Sequence, residues 1–338
     1  MTRKRVQGTL YLPATESALE LAAGIIARGG LVAFPTETVY GLGAGATDEQ
    51  AVARIFQAKG RPPDNPLIVH IASLEQLSLV AREIPREAYR LAELFWPGPL
   101  SLVLYRSQQI PPGVSAGLPT VAVRMPNHPV ALGLIKKAGV PIAAPSANRS
   151  GRPSPTSAFH VLEDLAGRIE AVLDGGRSLI GVESTVLDLT ASQPTLLRPG
   201  GVTRERLEAA LGRQVVLPRW DGTSPPPSPG MKYRHYAPRA PLIVVVGSEA
   251  RRHRLARSLL SWYERQGLKV GYLNPLRNFR GSLDKREKAF ARSLYAALRA
   301  MDKGGADLIV AEGFPACGWG AVIMNRLCKA ASRVIRVV

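Results

Sequence analysis

The sequence predicts an α/β protein of two domains joined by a proline-rich linker, and three observations carry that prediction. Over residues 1–217 strand-like and helical stretches alternate irregularly, which fits a twisted, mixed open sheet better than a regular parallel one. Over residues 218–240 the pattern breaks into SPPPSPGMKYRHYAP, stiff and extended by composition. Over residues 241–338 strands and helices alternate regularly, as in a small Rossmann-like parallel sheet.

Taken in order, Ser17 to Arg28 reads as a helix. Ser17 and Glu20 fit a capping box, Leu19, Ala22, Ala23 and Ile26 line one face, and Gly29-Gly30 ends it. Leu31 to Phe34 is an apolar run short enough for a buried strand, and Pro35 stops its ladder. Thr36, Glu37, Thr38 and Tyr40 are too polar and too closely set for a core strand. Gly41, Gly43 and Gly45 suit tight turns and a close approach of a ligand to the main chain. Thr47 and Gln50 fit a second capping box, and Val52, Ile55 and Phe56 give that helix its apolar face. The helix ends near Lys59-Gly60-Arg61, and Pro62-Pro63 prevents it resuming. Asp64-Asn65-Pro66 then turns the chain into a strand from Leu67 to Ile71 that carries His70. A strand, a hydroxyl-rich turn and a basic turn thus lie close together in the chain, the parts that a site for a polyanion and a small polar molecule needs.

Ser73 to Val80 and Arg86 to Leu94 read as helices. Phe95-Trp96-Pro97-Gly98-Pro99 is a rigid aromatic turn, read as a hydrophobic corner plug, before a strand from Leu100 to Tyr105. Gln109 to Pro119 is a Pro/Gly-rich loop, Thr120 to Arg124 a strand, Pro129 to Ala138 a helix closed by Gly139, and Pro141 to Ala144 a short strand. Pro145-Ser146-Ala147-Asn148 leaves that strand in a turn, and Arg149 to Pro155 is loop. Ser157 to Leu165 and Thr203 to Leu211 read as helices; Ala171 to Leu173, Ser184 to Leu189, Thr195 to Arg198 and Gln214 to Leu217 read as strands. In the second domain the strands are Leu242–Val246, Lys269–Leu273, Asp307–Ala311 and Arg333–Val337. Helices lie near Glu249–Gln266, Lys285–Asp302 and Ala321–Ala330.

Composition narrows the classes. The 338 residues are 46% hydrophobic, enough to bury two cores. No apolar run approaches the length of a membrane helix, and MTRKRVQGTL lacks a signal-peptide core, so the expectation is a cytoplasmic protein with no membrane partner. Two cysteines, Cys317 and Cys328, make no disulfide scaffold and fit a reduced compartment. The five histidines show no zinc-ligand spacing, so no resident metal site is expected. The net charge of +18 is uneven: residues 1–217 carry 22 basic against 18 acidic side chains, residues 241–338 carry 18 against 7. A basic second domain favours a polyanion such as RNA nearby, or a solvated arginine-rich surface.

The individual residues leave alternatives open. Pro-Thr-Glu-Thr is also an ordinary turn, and Lys59 and Arg61 can answer a helix dipole. His70 can be a satisfied core histidine, Arg124 can hold an ion pair as well as a ligand, and Ser146 and Asn148 are good turn formers. Gly41, Gly43 and Ala46 match a dinucleotide fingerprint after a strand, but no acidic residue ends the next strand to hold a ribose. No GxxxxGK[ST] occurs. In the second domain Val246-Gly247-Ser248-Glu249 is too sparse for a nucleotide fingerprint, and no nucleotide is expected there.

PTETVYGLG, AKGRPPDNPLIVHI, FWPGPLSLVL, VAVRMPNHP, PIAAPSANRSGRPSPTS, ESTVLDL and LLRPGG follow one another along the first domain. In kind and order they resemble the signature of the YrdC-type threonylcarbamoyl-AMP synthases. PGMKYRHYAP and a C-terminal domain extend the resemblance to the long-form members. It implies a YrdC-like open, curved sheet with a concave pocket, and a linker that folds over the pocket as a lid. It also implies the reaction: L-threonine, bicarbonate and ATP give L-threonylcarbamoyladenylate and pyrophosphate, for threonylcarbamoyladenosine in tRNAs that read ANN codons. Magnesium is implied on the triphosphate. The implied partners are a downstream tRNA threonylcarbamoyl transferase complex and tRNA itself, touching the basic C-terminal domain.

Carried over residue by residue, the resemblance makes Lys59, Arg61, Ser146 and Asn148 the phosphate-binding, catalytic tetrad. Asn65, Thr120, Ser154, Arg198 and, in the lid, Tyr236 join them as ATP contacts. Thr38, His70, Arg124, Ala144 through its backbone, and Ser184 become the L-threonine contacts, with Arg124 on the carboxylate and Thr36 the alternative to Thr38. The competing class is non-catalytic, a double-stranded-RNA or ribosome-binding module, which the near-neutral first domain argues against. A third reading is the carbamoyl-adenylate chemistry of hydrogenase-maturation proteins. It needs zinc-finger cysteine pairs that this chain lacks.

Overall fold

The computed structural model describes residues 4–218, 235–274 and 282–337. They divide into two units, one built from residues 4–150 and 154–218, the other from 151–153 and the described residues from 235 onward. Most of the expected lid, residues 219–234, lies outside the described residues.

The first unit opens with β1 (Lys4–Val6) and β2 (Thr9–Pro13), an antiparallel pair. Then follow α1 (Glu16–Ala27), β3 (Val32–Phe34), β4 (Gly41–Gly45), α2 (Glu49–Lys59), β5 (Ile68–His70), α3 (Leu77–Val80), β6 (Ala81–Arg82), α4 (Arg86–Phe95) and β7 (Leu100–Arg106). The unit continues with α5 (Pro112–Ser115), β8 (Thr120–Arg124), α6 (Pro129–Ala138), β9 (Ile142–Ala144), α7 (Ala158–Leu165), β10 (Ala171–Asp174), β11 (Thr185–Asp188), β12 (Thr195–Arg198) and α8 (Arg204–Leu211). Its strands form one mixed sheet in the order β1-β2-β10-β3-β4-β9-β5-β8-β7-β11-β12, with β6 on β7. Strand β5 shows the mixture: it runs parallel to β8 and antiparallel to β9.

The sheet is covered on both faces, which explains its continuous apolar strands. Leu31 and Ala33 belong to one core with Val52, Ile55, Leu91 and Val123. Val32 and Phe34 belong to the other, with Ala22 and Ile26 of α1 and Leu134 of α6. Alternation sends successive side chains to opposite faces, so a strand buried on both sides must be apolar throughout.

Several expectations shift. Helix α1 is capped by Thr15, whose hydroxyl accepts the Ala18 N–H at 3.4 Å, two residues before the predicted Ser17. Helix α2 is capped by Asp48 rather than Thr47, the carboxylate accepting Ala51 N–H at 2.9 Å. Gly60 ends α2 at φ 62°, a left-handed conformation that glycine adopts cheaply. The glycines from Gly41 to Gly45 are strand, not turns. A Cβ on Gly43 would stand 2.6 Å from Ile142 and 2.8 Å from Phe34, so close packing between β3 and β9 explains the glycine. Helix α3 is one turn of the predicted Ser73–Val80, and Gln214–Leu217 contributes only a bridge from Val216 to Thr195. Strands β1, β2 and β6 and the single turn α5 were not expected.

The second unit runs β13 (Leu242–Val246), α9 (Glu249–Arg265), β14 (Val270–Leu273), α10 (Leu283–Lys303), β15 (Leu308–Glu312), α11 (Gly318–Ala330) and β16 (Arg333–Arg336). Its sheet is parallel throughout, in the order β14-β15-β13-β16, as the regular alternation predicts. Ala256 and Leu260 of α9 pack on Ile243, Val245, Leu308 and Val310. At the end of β15, Glu312 is buried with its carboxylate engaged by His253 at 2.8 Å, by the Tyr272 hydroxyl and, at 3.6 Å, by Arg252.

Candidate active site

The site is built where β5, β8 and β9 meet the loops that follow β3, α2 and β9. The basic turn comes first. Lys59 is the last residue of α2, and the helix end directs its side chain inward, where it is buried. Its ammonium donates to the main-chain carbonyls of Ser146 and Asn148, at 2.5 Å for the latter. Ser150 N–H returns to the Lys59 carbonyl at 2.9 Å. The Ser146–Asn148 turn is therefore clamped to the helix end, and Ser146 also bridges Gly41 at the start of β4. Burial and the neighbouring Arg61 charge hold the Lys59 ammonium well below the ordinary lysine range. A polyanion placed here would reverse that pressure.

Arg61 is tied to its own turn, donating from Nε to Asn65 O at 3.0 Å and from an Nη to Pro66 O at 2.8 Å. Asn65 is 1% exposed, and neither atom of its side-chain amide has a hydrogen-bond partner among the described residues. A buried amide left unpaired costs stability, so it marks a place built for a ligand.

The second cluster forms around Arg124 at the end of β8. It lies in register with His70 of β5, which in turn lies opposite Ile142 of β9; two residues earlier on β5, Ile68 lies opposite Ala144. The Arg124 guanidinium donates to Gly98 O at 3.1 Å and to Thr38 Oγ1 at 2.9 Å, and stands 2.6 Å from a Glu37 oxygen. The two threonines separate here. Thr36 Oγ1 donates to Val39 O at 2.6 Å and caps its own turn, whereas Thr38 Oγ1 lies between Thr36 at 2.8 Å and Arg124. Thr38, not Thr36, is the hydroxyl on the arginine. His70 is buried, its Nδ1 beside Ile68 O at 3.2 Å and its ring edge-on to Phe34. Burial, then the Arg124 charge, pushes its imidazole down to about 3, so it is neutral.

The third cluster joins the other two. The loop before β11 is bound to the Thr36–Thr38 turn by Ile180 N–H on Glu37 O at 2.7 Å and Gly181 N–H on Thr38 O at 3.0 Å. It delivers Glu183, which accepts a hydrogen bond from Ser154 Oγ at 2.5 Å, and Ser184. Ser184 Oγ lies 2.8 Å from Ser101 Oγ and accepts from Arg198 at 3.1 Å, so an expected threonine contact touches an expected ATP contact. Thr120, half-buried, begins β8 and Arg124 ends it; four strand steps set them about 13 Å apart. Tyr236 lies in the second unit, buried, stacked on Tyr295 at 5.4 Å with the Arg326 guanidinium 5.4 Å from its ring. Trp96 is buried, its indole N–H donating to Leu100 O at 2.7 Å, a packing role that matches the corner plug.

Sequence reasoning passed over Glu37 and Glu183 as site residues. Both are acids inside stretches that are otherwise buried, and each sits beside a residue expected to touch a ligand. Four cations (Lys59, Arg61, Arg124 and Arg198) thus stand on one framework with two carboxylates. That arrangement can hold a polyanion at one end and a small zwitterion at the other.

Comparison with known proteins shows what the chain as a whole is similar to. Residues 24–200 match the Sua5/YciO/YrdC family model, described as telomere recombination, and residues 202–332 match a model described as threonylcarbamoyl-AMP synthase, C-terminal domain. A Pyrococcus abyssi protein named threonylcarbamoyl-AMP synthase is 53% identical over 95% of this chain and 96% of its own. One of the same name from Bacillus subtilis is 48% identical over 98% of each. The crystal structure of P. abyssi Sua5 complexed with L-threonine superposes with a TM-score of 0.91 at 50% identity, covering 98% of this chain and 100% of that one.

Proposed function

We infer the chemistry of this site from one premise: the chain belongs to the Sua5/YciO/YrdC family, with the C-terminal Sua5 domain, and is a threonylcarbamoyl-AMP synthase. The observation that carries this is the match to two synthases over nearly the whole of each chain. The non-catalytic RNA-binding alternative is disfavoured by the same match.

The reaction joins L-threonine, bicarbonate and ATP, and releases pyrophosphate. It has two physical tasks. The threonine amine forms a carbamate, and a carbamate oxygen then attacks the α-phosphate in line. The second task needs positive charge along the triphosphate and a fixed approach, not a nucleophilic side chain. Lys59 and Arg61, with the Ser146–Asn148 turn, take the phosphates; Arg61 offers a fork and Lys59 a buried point charge. Asn65 offers its amide to the nucleotide, and Thr120, Ser154 and Arg198 complete that half. Arg124 takes the threonine carboxylate, while Thr38, His70, Ser184 and the Ala144 backbone surround the amino acid. The Ser184–Arg198 hydrogen bond supports this division, because it joins a residue read on the threonine side to one read on the ATP side. Magnesium enters with ATP as part of the substrate, held by phosphate oxygens and water.

The product passes to a tRNA threonylcarbamoyl transferase complex in the cytoplasm, for adenosine in tRNAs that read ANN codons. The basic C-terminal domain offers a surface for tRNA. The test is pyrophosphate release from MgATP and bicarbonate, with L-threonine, L-serine or no amino acid. Release that needs L-threonine and is far weaker with L-serine supports the assignment; release indifferent to the amino acid refutes it.

A further inference from the structure

Glu37 has no role in the reaction as described so far, yet its placement is costly. The residue is 4% exposed, and the Arg124 side chain opposite is equally buried. Removing a carboxylate from water costs several kcal/mol, and a partner must return it. The return here is incomplete. Glu37 stands 2.6 Å from an Arg124 nitrogen, but the approach is poorly aligned, and neither carboxylate oxygen accepts a hydrogen bond among the described residues. The main chain beneath it is fixed by Ile180 and Gly181, and Arg124 is fixed by Gly98 and Thr38. His128, at the start of α6, is the other titratable group whose charge state Glu37 influences, and His70 lies beyond Arg124 on the next strand.

A rigid, buried cation–anion pair with idle acceptors on the anion is complementary to a zwitterion. An amino acid places its carboxylate and ammonium on the same carbon, so one molecule spans both groups. If Arg124 alone met the substrate, a buried ammonium would be left without a counter-charge. Carbamate formation adds a second requirement, because the amine reacts only through a free lone pair.

Resting on the synthase reading above, we propose that Glu37 is a catalytic residue that receives the α-ammonium of L-threonine and takes its proton. One N–H bond of the ammonium breaks, and that proton passes to a Glu37 oxygen. The freed lone pair forms the C–N bond to the bicarbonate carbon. A C–O bond of bicarbonate breaks, and the departing hydroxide leaves as water with a second proton from nitrogen. The carbamate remains, and the Glu37 proton returns to solvent. A carbamate oxygen then attacks the α-phosphate, and pyrophosphate leaves.

The test begins with threonine-dependent pyrophosphate release by the wild-type protein, whose absence would sink the synthase reading and leave the proposal without its premise. Given that release, calorimetry compares L-threonine with its 2-hydroxy analogue, (2S,3R)-2,3-dihydroxybutyrate, which lacks the ammonium. The wild type is expected to prefer L-threonine by at least about tenfold, the scale of one charge-assisted hydrogen bond. Equal affinities in the wild type overturn the proposal with no variant needed. In Glu37→Gln the preference should collapse, and kcat/KM for L-threonine should climb about tenfold per pH unit on the alkaline side as solvent replaces the base. Glu37→Asp should restore both in part. A folded Glu37→Gln with wild-type preference and pH profile overturns the assignment.

Discussion

Two buried carboxylates, one in each unit, show how a site differs from a scaffold. Glu312 ends a strand of the parallel sheet and is 1% exposed; Glu37 follows a strand of the mixed sheet and is 4% exposed. By burial alone they are equivalent. Glu312 is engaged on both oxygens: His253 and the Tyr272 hydroxyl meet one and Arg252 stands 3.6 Å from the other, while burial and the hydrogen bond to Glu312 push the Tyr272 phenol up to about 12. Among the described residues Glu37 has one ion pair and oxygens that accept no hydrogen bond, and the side-chain amide of Asn65, in the basic turn, has no partner. A closed network fixes a fold, whereas an open one holds capacity for a molecule that is not part of the chain.

The largest test breaks the closed network. Glu312→Ala should cost on the order of 3–5 kcal/mol of stability, because it leaves the buried Arg252 without its counter-charge. Denaturant unfolding would read this, and L-threonine affinity of the folded fraction should not change. Next, Lys59→Ala should cost about 2–4 kcal/mol of transition-state stabilisation, the scale of one preorganised electrostatic donor, with the fold retained. Unchanged kcat/KM in a pyrophosphate assay would remove Lys59 from the site. Asn65→Leu sharpens the contrast. Replacing an unpaired amide by an apolar group of similar shape should raise stability by about 1–3 kcal/mol while ATP binding weakens. A variant that loses stability would show that the amide is satisfied.

The smallest effect is a pH slope. His70 sits near 3 in the folded chain against 6.5 when free, so the unfolded chain binds the extra proton. Its contribution is full above 6.5 and is lost as pH falls from 6.5 toward about 3. Just below pH 6.5 this amounts to about 1 kcal/mol per pH unit. His70→Gln should flatten that part of the stability curve; an unchanged slope would mean that His70 titrates normally.

The same contrast explains what was legible in the sequence. Runs buried on both faces, such as Leu31–Phe34 and Leu242–Val246, announce themselves by composition. Features set by distant partners do not. Gly41–Gly45 looks like turns until Phe34 and Ile142 close on either side, and β2 is a strand because β10 pairs with it, 160 residues on. The caps slipped by one or two residues because Ser17 and Thr47 have the right chemistry but Thr15 and Asp48 have the right backbone. In the site, the residue types and the motifs that hold them were readable, and the family resemblance assigned the roles. The Lys59 grip on the Ser146–Asn148 turn and the open state of Glu37 are relations across the fold, which no local pattern encodes.

Amide hydrogen exchange on the full chain, with and without L-threonine and α,β-methylene ATP, tests the contrast between the two networks most directly. Exchange is expected to slow at Thr36–Gly41, Lys59–His70, Val123–Met125, Ala144–Arg149 and Glu183–Thr185, and to stay unchanged at Val245–Gly247, Tyr272–Asn274 and Ala311–Gly313. Protection confined to those second-unit strand ends, with none in the first unit, would contradict that expectation.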